Sequence, residues 1–310
     1  MLELSNVTKE FKNSGFVARD ISFHLPKGYI MGLIGENGAG KSTIIKCILG
    51  LYRPDQGEIV VDGMQYAEHE KEIKNAIGFV LAEDMFPKNM SIVNIARAFG
   101  KFYENFDYGM WQQYCKRFGL PVTCQYKRLS KGERLKFQFA FALAHKPKLL
   151  VLDEPSAHFD PEFRKEFLKE LSHFVEDGEH SVLLATHIME DVEQLGDYIT
   201  FVQDGTILFS EDREILQERY RMVTGEACYI RQLDKGKIIY QEDGIYGSRA
   251  LFNAYEQERN AEIFVDQLLD EICDTGSNVY TLDDTYVYLW KNHYFWSNFV
   301  DKSFCFSTNI

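Results

Sequence analysis

Gly35-Glu36-Asn37-Gly38-Ala39-Gly40-Lys41-Ser42-Thr43 stands between an apolar run, Gly28 to Ile34, and a segment from Lys41 to Leu51 in which Ile44, Ile45, Ile48 and Leu49 recur at helical spacing. Strand, glycine loop and helix are predicted in that order. The loop matches G-x-x-x-x-G-K-[ST], and its place between a strand and a helix matters more than its letters. Its glycines let backbone N–H groups converge on phosphate oxygens, and the helix N-terminus adds positive partial charge. Lys41 is then placed to reach the outer phosphates of a nucleoside triphosphate, and Ser42 to ligate magnesium. A glycine-rich turn of no consequence is the competing reading, and the flanking elements argue against it.

Further along, Leu149-Leu150-Val151-Leu152-Asp153-Glu154 reads as a buried strand that ends in two carboxylates. Burying such a pair without a cation is costly, and magnesium would resolve that cost. Asp153 is placed to hold Mg2+ through water, and Glu154 to polarise an attacking water. Acidic residues also follow strands at surface turns, so this pair decides nothing without the loop.

Strand-like pieces lie on both sides of the loop: Leu2 to Val7 and Ile21 to His24 before it, Gly57 to Val61 and Ile77 to Leu81 after it. Between about residues 86 and 144 the chain becomes helical and aromatic, with Ser91 as a candidate N-cap and an apolar helix from Leu129 to Leu143. This is read as an inserted helical subdomain. Strand character returns at Leu149 to Leu152 and at Val182 to Ala185, with a helix of mixed charge, Pro161 to Glu176, between them. The alternation predicts an α/β fold with a parallel sheet and helical crossovers. Beyond Leu216 come short strand-like pieces and one long helical stretch over about 248–272, so domains are placed at 1–216 and 217–310. The second is expected to be a small α+β accessory unit. Rings crowd its end, among them Tyr280, Trp290, Tyr294, Phe295 and Trp296. They form either its core or a surface for a permease, a second copy or lipid headgroups.

The 45% hydrophobic and 26% charged content is that of an ordinary globular chain, which excludes disorder and fibrous classes. A net charge of -13 and a pI near 5.1 argue against nucleic acid as the main partner. No apolar run approaches the roughly 18 to 20 residues of a membrane span, and the N-terminus lacks the pattern of an export signal. Six cysteines without C-x-x-C spacing predict free thiols in a reducing cytoplasm.

Taken together, the glycine loop, Leu129-Ser130-Lys131-Gly132-Glu133, Leu149 to Pro155, Ser156 to Asp160 and Thr186-His187 occur in the order found in ABC ATPases, and residues 1–216 resemble that family. The resemblance runs to the bacterial subfamily whose ATPase serves antibiotic- or peptide-exporting permeases. It implies a P-loop NTPase of ABC type with ATP as nucleotide and Mg2+ as cofactor. It also implies that Ser130 and Gly132 form a signature segment that binds the γ-phosphate of an ATP held by a second ABC chain, so that each site is shared. Ser130-x-x-Glu133 is, on its own, a capping box that would stabilise any helix. His187 resembles the switch histidine at the γ-phosphate, and Asp160 the loop aspartate that crosses the dimer. Asp160-Pro161 taken alone is simply a helix start. Phe11 resembles the aromatic that stacks on adenine, and Phe16 competes for that role.

Several residues depart from the family pattern. Ala82 stands at the usual magnesium-binding glutamine, and Glu83 or Asp84 would substitute, with Glu83 assigned as the metal ligand. Lys131 and Glu133 replace a glycine and a glutamine of the signature, and His158 and Phe159 stand where small and aliphatic residues are usual. Slow turnover or a dimer of unequal sites would follow.

The implied function is an ATP-hydrolysing subunit, peripheral on the inner face of the cell membrane, that dimerises around ATP and drives a separate permease for export. A soluble ABC protein acting on ribosomes or DNA would carry two motif sets or a long coiled coil, and this sequence has one set and no sustained heptads. A nucleotide-binding regulator with slow hydrolysis is the third reading, prompted by Ala82 and the altered signature.

Overall fold

The computed structural model describes residues 1–11, 15–225, 238–244, 247–253 and 278–280. They divide into two compact units, Met1–Ser210 and a second that starts at Glu211.

The first unit opens with β1 (Leu2–Glu10) and β2 (Val17–Leu25), which pair antiparallel. β3 (Ile30–Ile34) then runs into the glycine loop and α1 (Lys41–Ile48). β4 (Gln56–Val61) and β5 (Met64–Gln65) complete an antiparallel sheet in the order β2-β1-β4-β5. α2 (Tyr66–Ala76) leads to β6 (Ile77–Val80), and the helical insertion follows as α3 (Ile92–Phe99), α4 (Tyr108–Arg117) and α5 (Lys131–Ala144). After it come β7 (Leu149–Asp153), α6 (Pro161–Val175), β8 (Ser181–Thr186), α7 (Met189–Leu195), β9 (Tyr198–Gln203) and β10 (Thr206–Asp212). The larger sheet has the order β10-β9-β3-β8-β7-β6, and its strands from β9 to β6 run parallel.

Every residue of β3, β7 and β8 is buried. That is why these segments read as continuous apolar runs, since a parallel sheet is covered on both faces. Ile34 pairs with Thr186, and Asp153 with Ala185, so three adjacent strands finish almost level. Loops leaving the carboxyl ends of such strands are where an open α/β sheet builds its sites.

The rings of the insertion, with Trp111, Tyr126, Phe137 and Phe139 fully buried, join one apolar cluster with Val80, Leu150 and Leu184 of the sheet. Phe86 meets Phe99, Tyr126, Phe137 and Phe141 edge-on, with ring centroids 5.1 to 5.8 Å apart. Each buried ring contributes about 1.5–3 kcal/mol by burial. Ser91 does precede α3, but its side chain caps nothing, which corrects that expectation. The helix N–H groups of Ile92 and Val93 are taken instead by the carbonyls of Cys124 and Val122.

In the second unit, α8 (Arg213–Arg219) precedes β11 (Tyr220–Gly225), β12 (Ile238–Gly244), β13 (Gly247–Asn253) and β14 (Asn278–Tyr280), which form a sheet ordered β12-β13-β11-β14. The helix expected over about 248–272 is thereby corrected at its start. Ser248 to Asn253 pair residue by residue with Gly225 to Tyr220, and cross-strand pairing overrides the local helical pattern. The remainder of that stretch and the rings beyond Tyr280 lie outside the described residues.

His145 follows α5 and is only 2% exposed. Its Nε2 lies 3.1 Å from the Ile77 carbonyl, and its ring stacks on Tyr103 at 4.2 Å. Burial pushes its pKa down to about 4, against 6.5 for the free side chain. The unfolded chain therefore takes up this proton first, and stability that is complete above about pH 6.5 drains away as the pH falls towards 4. The expected loss over that window is about 3 kcal/mol. Urea unfolding measured across it should show a flatter pH dependence for His145→Phe than for the unsubstituted chain.

Candidate nucleotide-binding site

At the level ends of the strands lies a cavity of about 230 Å3, lined by Phe16, Glu36, Asn37, Gly38, Gly40, Lys41, Ser42, Thr43 and Glu154. Gly38 and Gly40 have φ of 90° and 114°, a backbone that L side chains rarely adopt. A Cβ on Gly40 would also stand 3.0 Å from the Phe16 ring. Gly40 is the N-cap of α1 and supplies no side-chain cap, so the first N–H groups of the helix are left for an anion.

Lys41 is buried, and its Nζ donates to the carbonyls of Gly35 at 2.6 Å and Glu36 at 3.1 Å. The Glu154 carboxylate lies 3.7 Å away. Burial pushes the Lys41 ammonium below its usual pKa, while Glu154 and Asp153 pull against that shift. Ala39 closes the loop beneath, donating its N–H to the Glu36 carbonyl.

Glu154 has φ of 50°, a left-handed backbone uncommon for a residue with a side chain and frequent at functional sites. Its N–H is held by the Ala185 carbonyl at 2.9 Å, and its Oε2 accepts from His187 Nδ1 at 2.6 Å. Two residues that the sequence separates by a helix and a strand are thus brought together. Beside them Asp153 is buried, with Oδ1 lacking any hydrogen-bond partner. Burial pushes its carboxyl pKa up, opposed by a hydrogen bond from Ser42. An orphaned carboxylate oxygen next to a serine hydroxyl is the donor chemistry of a hard divalent cation, so these residues fit Mg2+.

Other sequence candidates fall elsewhere. Ser130 caps α5 in a complete capping box: Glu133 N–H donates to its hydroxyl at 3.2 Å, and its own N–H donates to the Glu133 carboxylate at 2.7 Å. Gly132 sits against the backbone of His158, whose carbonyl oxygen would be 2.6 Å from an added Cβ. Asp160 caps α6 through the Phe163 N–H at 2.8 Å and reaches Lys136 at 3.1 Å. None of the three lines the cavity of its own chain.

Two further candidates lie apart from this cavity. Phe11 does not line the cavity; its ring packs edge-on against Tyr52 at 5.3 Å, and Phe16 is the aromatic beside the glycine loop. Glu83 does not line the cavity; it is exposed and accepts from Lys46 Nζ at 2.7 Å. Asp84 is likewise committed, to Arg134.

A further residue escaped the sequence reading. Asp191 is fully buried and accepts from the Ser156 hydroxyl and from Arg164 Nε at 2.7 Å. It ties the turn after Glu154 to the helix after His187, and so supports their contact. Glu190-Asp191 in the first turn of α7 looks like ordinary helix-start charge.

A glycine loop between strand and helix, level with paired carboxylates at the end of a parallel strand next but one in the sheet, defines a P-loop nucleoside triphosphatase. Residues 18–157 match the family model described as ABC transporter. The chain is 30% identical over 222 residues to the ABC transporter ATP-binding protein YtrB of Bacillus subtilis (strain 168), spanning 71% of this chain and 75% of that protein. It is 29% identical over 248 residues to NatA of the same organism, spanning 76% and 99%. The fold is shared with the dimeric cassette MJ0796 solved in a post-hydrolysis state with ADP and Pi, at a TM-score of 0.61 and 23% identity over 68% of this chain and 98% of that one. The chain belongs to the ABC transporter ATP-binding proteins, and it is an ATPase of that type.

Stacking of an aromatic ring on a base contributes about 1–3 kcal/mol. Phe16→Ala is therefore expected to weaken ATP binding by about tenfold, and Phe11→Ala by less than about twofold, in titrations with a fluorescent ATP analogue.

Proposed function

We propose that two copies of this chain close around two Mg-ATP molecules, and that hydrolysis resets a separate transmembrane permease working in the export direction. The observation that carries this reading is a divided site. Lys41 and Glu154 line one cavity, with His187 bonded to Glu154 behind it, while Ser130, Gly132 and Asp160 neither line it nor touch those residues through a hydrogen bond. A second copy is the natural source of the missing wall.

In this reading Lys41 exchanges the Gly35 and Glu36 carbonyls for the outer phosphates, which better repay the burial of its charge. The loop N–H groups cradle the remaining oxygens. Ser42 and Asp153 would hold Mg2+, which supplies positive charge to the phosphates when bound. Glu154 orients a water for in-line attack and accepts its proton, and His187 fixes the Glu154 carboxylate through the bond at 2.6 Å. Rate enhancement comes from positioning and charge stabilisation.

A second surface supports the permease. An apolar groove of about 590 Å3 lies between α2 and the helical insertion, walled by Leu51, Met85, Phe86, Phe99 and Phe102. Phe102 is 75% exposed, and Leu51 and Met85 are also open to solvent. Such a groove suits an amphipathic segment presented by a membrane protein. Among the described residues no helix is long and apolar enough to cross a membrane, so the bilayer would be reached through that partner. The export direction is taken from the resemblance of residues 1–216 to the ATPases of exporting permeases.

Two experiments test the reading. Lys41→Ala should abolish ATP binding, and Glu154→Gln should give an ATP-dependent dimer by light scattering; a Glu154→Gln chain that stays monomeric at high concentration with excess Mg-ATP would remove the shared site. Phe102→Asp should leave ATP affinity unchanged yet sharply reduce recovery of the permease in mild detergent. Equal recovery would move the docking surface elsewhere.

A further inference from the structure

Helix α5 is capped by Ser130 and displays Arg134 and Gln138 one and two turns on, at four-residue spacing along one face. Both grip the segment that leaves β6. Gln138 is 3% exposed within a helix otherwise packed with rings and alanines. Its Oε1 accepts from the Leu81 N–H at 2.9 Å, and its Nε2 donates to the Leu81 carbonyl at 3.1 Å. A side-chain amide thus does what a neighbouring strand would do for a buried residue. Three residues on, both oxygens of Asp84 lie 2.9 Å from Arg134 Nη1, and Arg134 Nη2 donates to the Lys127 carbonyl at 3.0 Å.

A buried amide is costly unless its donors and acceptors are used, and an unpaired backbone group at Leu81 would cost about as much. Gln138 and Leu81 therefore settle each other's needs, and neither can move alone. β6 belongs to the sheet that carries the glycine loop, whereas α5 carries the signature segment. Leu81 and Asp84 bracket Ala82, whose methyl group can link nothing, and Glu83, which is held by Lys46. Met85 and Phe86, the next residues, form a wall of the apolar groove.

We infer that Gln138 and Arg134 are positioning residues that hold Ser130 in register with the phosphate loop and make the 81–84 segment move with α5 as one piece. The inference rests on the shared-site reading, because Ser130 matters to hydrolysis only when a second copy presents it to ATP. A displacement of the groove wall is passed through the two clamps to Ser130. Nucleotide affinity of the single chain, set by the loop around Lys41, does not depend on them.

The test uses the full chain with Asp84→Leu, Arg134→Leu, the double variant, and Gln138→Met, which conserves volume. Titration of dilute protein with a fluorescent ATP analogue should give affinities within about twofold of the unsubstituted chain. Hydrolysis at saturating Mg-ATP should fall at least about tenfold in each single variant. The double variant should lose no more than either single one, since the pair acts as a unit. Turnover within about twofold of normal in both Asp84→Leu and Gln138→Met overturns the inference, as does a loss of ATP affinity that parallels the loss of turnover. If Gln138→Met does not fold, the Asp84 and Arg134 variants decide alone. Lys41→Ala and Glu154→Gln run alongside separate the two claims. Should they fail their own predictions, the shared site falls; should they succeed while the clamp variants turn over normally, only the positioning role falls.

Discussion

The parallel pairing of β3, β8 and β7 is the constraint on which the site depends. Ile34 is fixed opposite Thr186 and Asp153 opposite Ala185 by backbone hydrogen bonds, so the distance from the glycine loop to the carboxylates is set by sheet geometry. A slip of one residue would turn Asp153 to the other face of the sheet and leave an apolar side chain in its place. Buried residues along all three strands make such a slip prohibitively unfavourable. The sheet can therefore sustain local conditions that a loop could not. Asp153 has an oxygen with no partner, and Glu154 is held in a left-handed backbone. Both are tolerable because the surrounding structure over-determines them, and both are reserves that phosphate and metal chemistry can use.

Supporting contacts lie one layer further out. Asp191 is completely buried between Ser156 and Arg164, and removing one partner of such a charge typically costs about 3–5 kcal/mol. That firmness is useful at this position, since Ser156 and Asp191 flank the two residues whose side chains meet at 2.6 Å. On α5 the capping box has a dual character. Its Ser130 hydroxyl and the Glu133 carboxylate satisfy N–H groups that an incoming anion would also seek. The helix N-terminus is thereby stabilised within the single chain.

How legible all this was in the sequence varies with the range of the interaction. The glycine loop could be read directly, because positive φ at Gly38 and Gly40 is a local demand that only certain residues meet. The Asp153 strand was equally plain from its unbroken apolar run. Contacts that depend on a partner distant in sequence leave no local signal to read. Nothing near Glu83 says that Lys46 will capture it, and the placement of Phe16 over Phe11 depends on how the chain turns between them. Residues 248–253 carry a helical pattern, yet they pair with β11. Gln138 is the sharpest case: a lone amide among Phe137, Phe139 and Phe141 has no periodic signature, and its role is visible only once Leu81 lies against it.

The departures from the family pattern take on a different weight when each is set in its surroundings. Glu133 replaces a glutamine but fulfils the reciprocal half of the capping box, which either residue can supply. His158 contributes its backbone to the seat of Gly132, so its side chain is free to vary. Phe159 packs edge-on against Phe163 and Phe167 at 4.6 and 5.3 Å and so joins the apolar cluster at the start of α6. Lys131 is exposed at the first position of α5, where a positive charge opposes the helix dipole and finds a reason only if an anion approaches from outside. Ala82 alone among these changes removes a polar side chain without a local replacement, since Glu83 and Asp84 are each committed to a cation. The burden of joining that segment to the rest of the molecule then passes to α5. Gln138 and Arg134 meet it from the opposite side, which makes the link between sheet and signature helix a property of the helix and not of the loop.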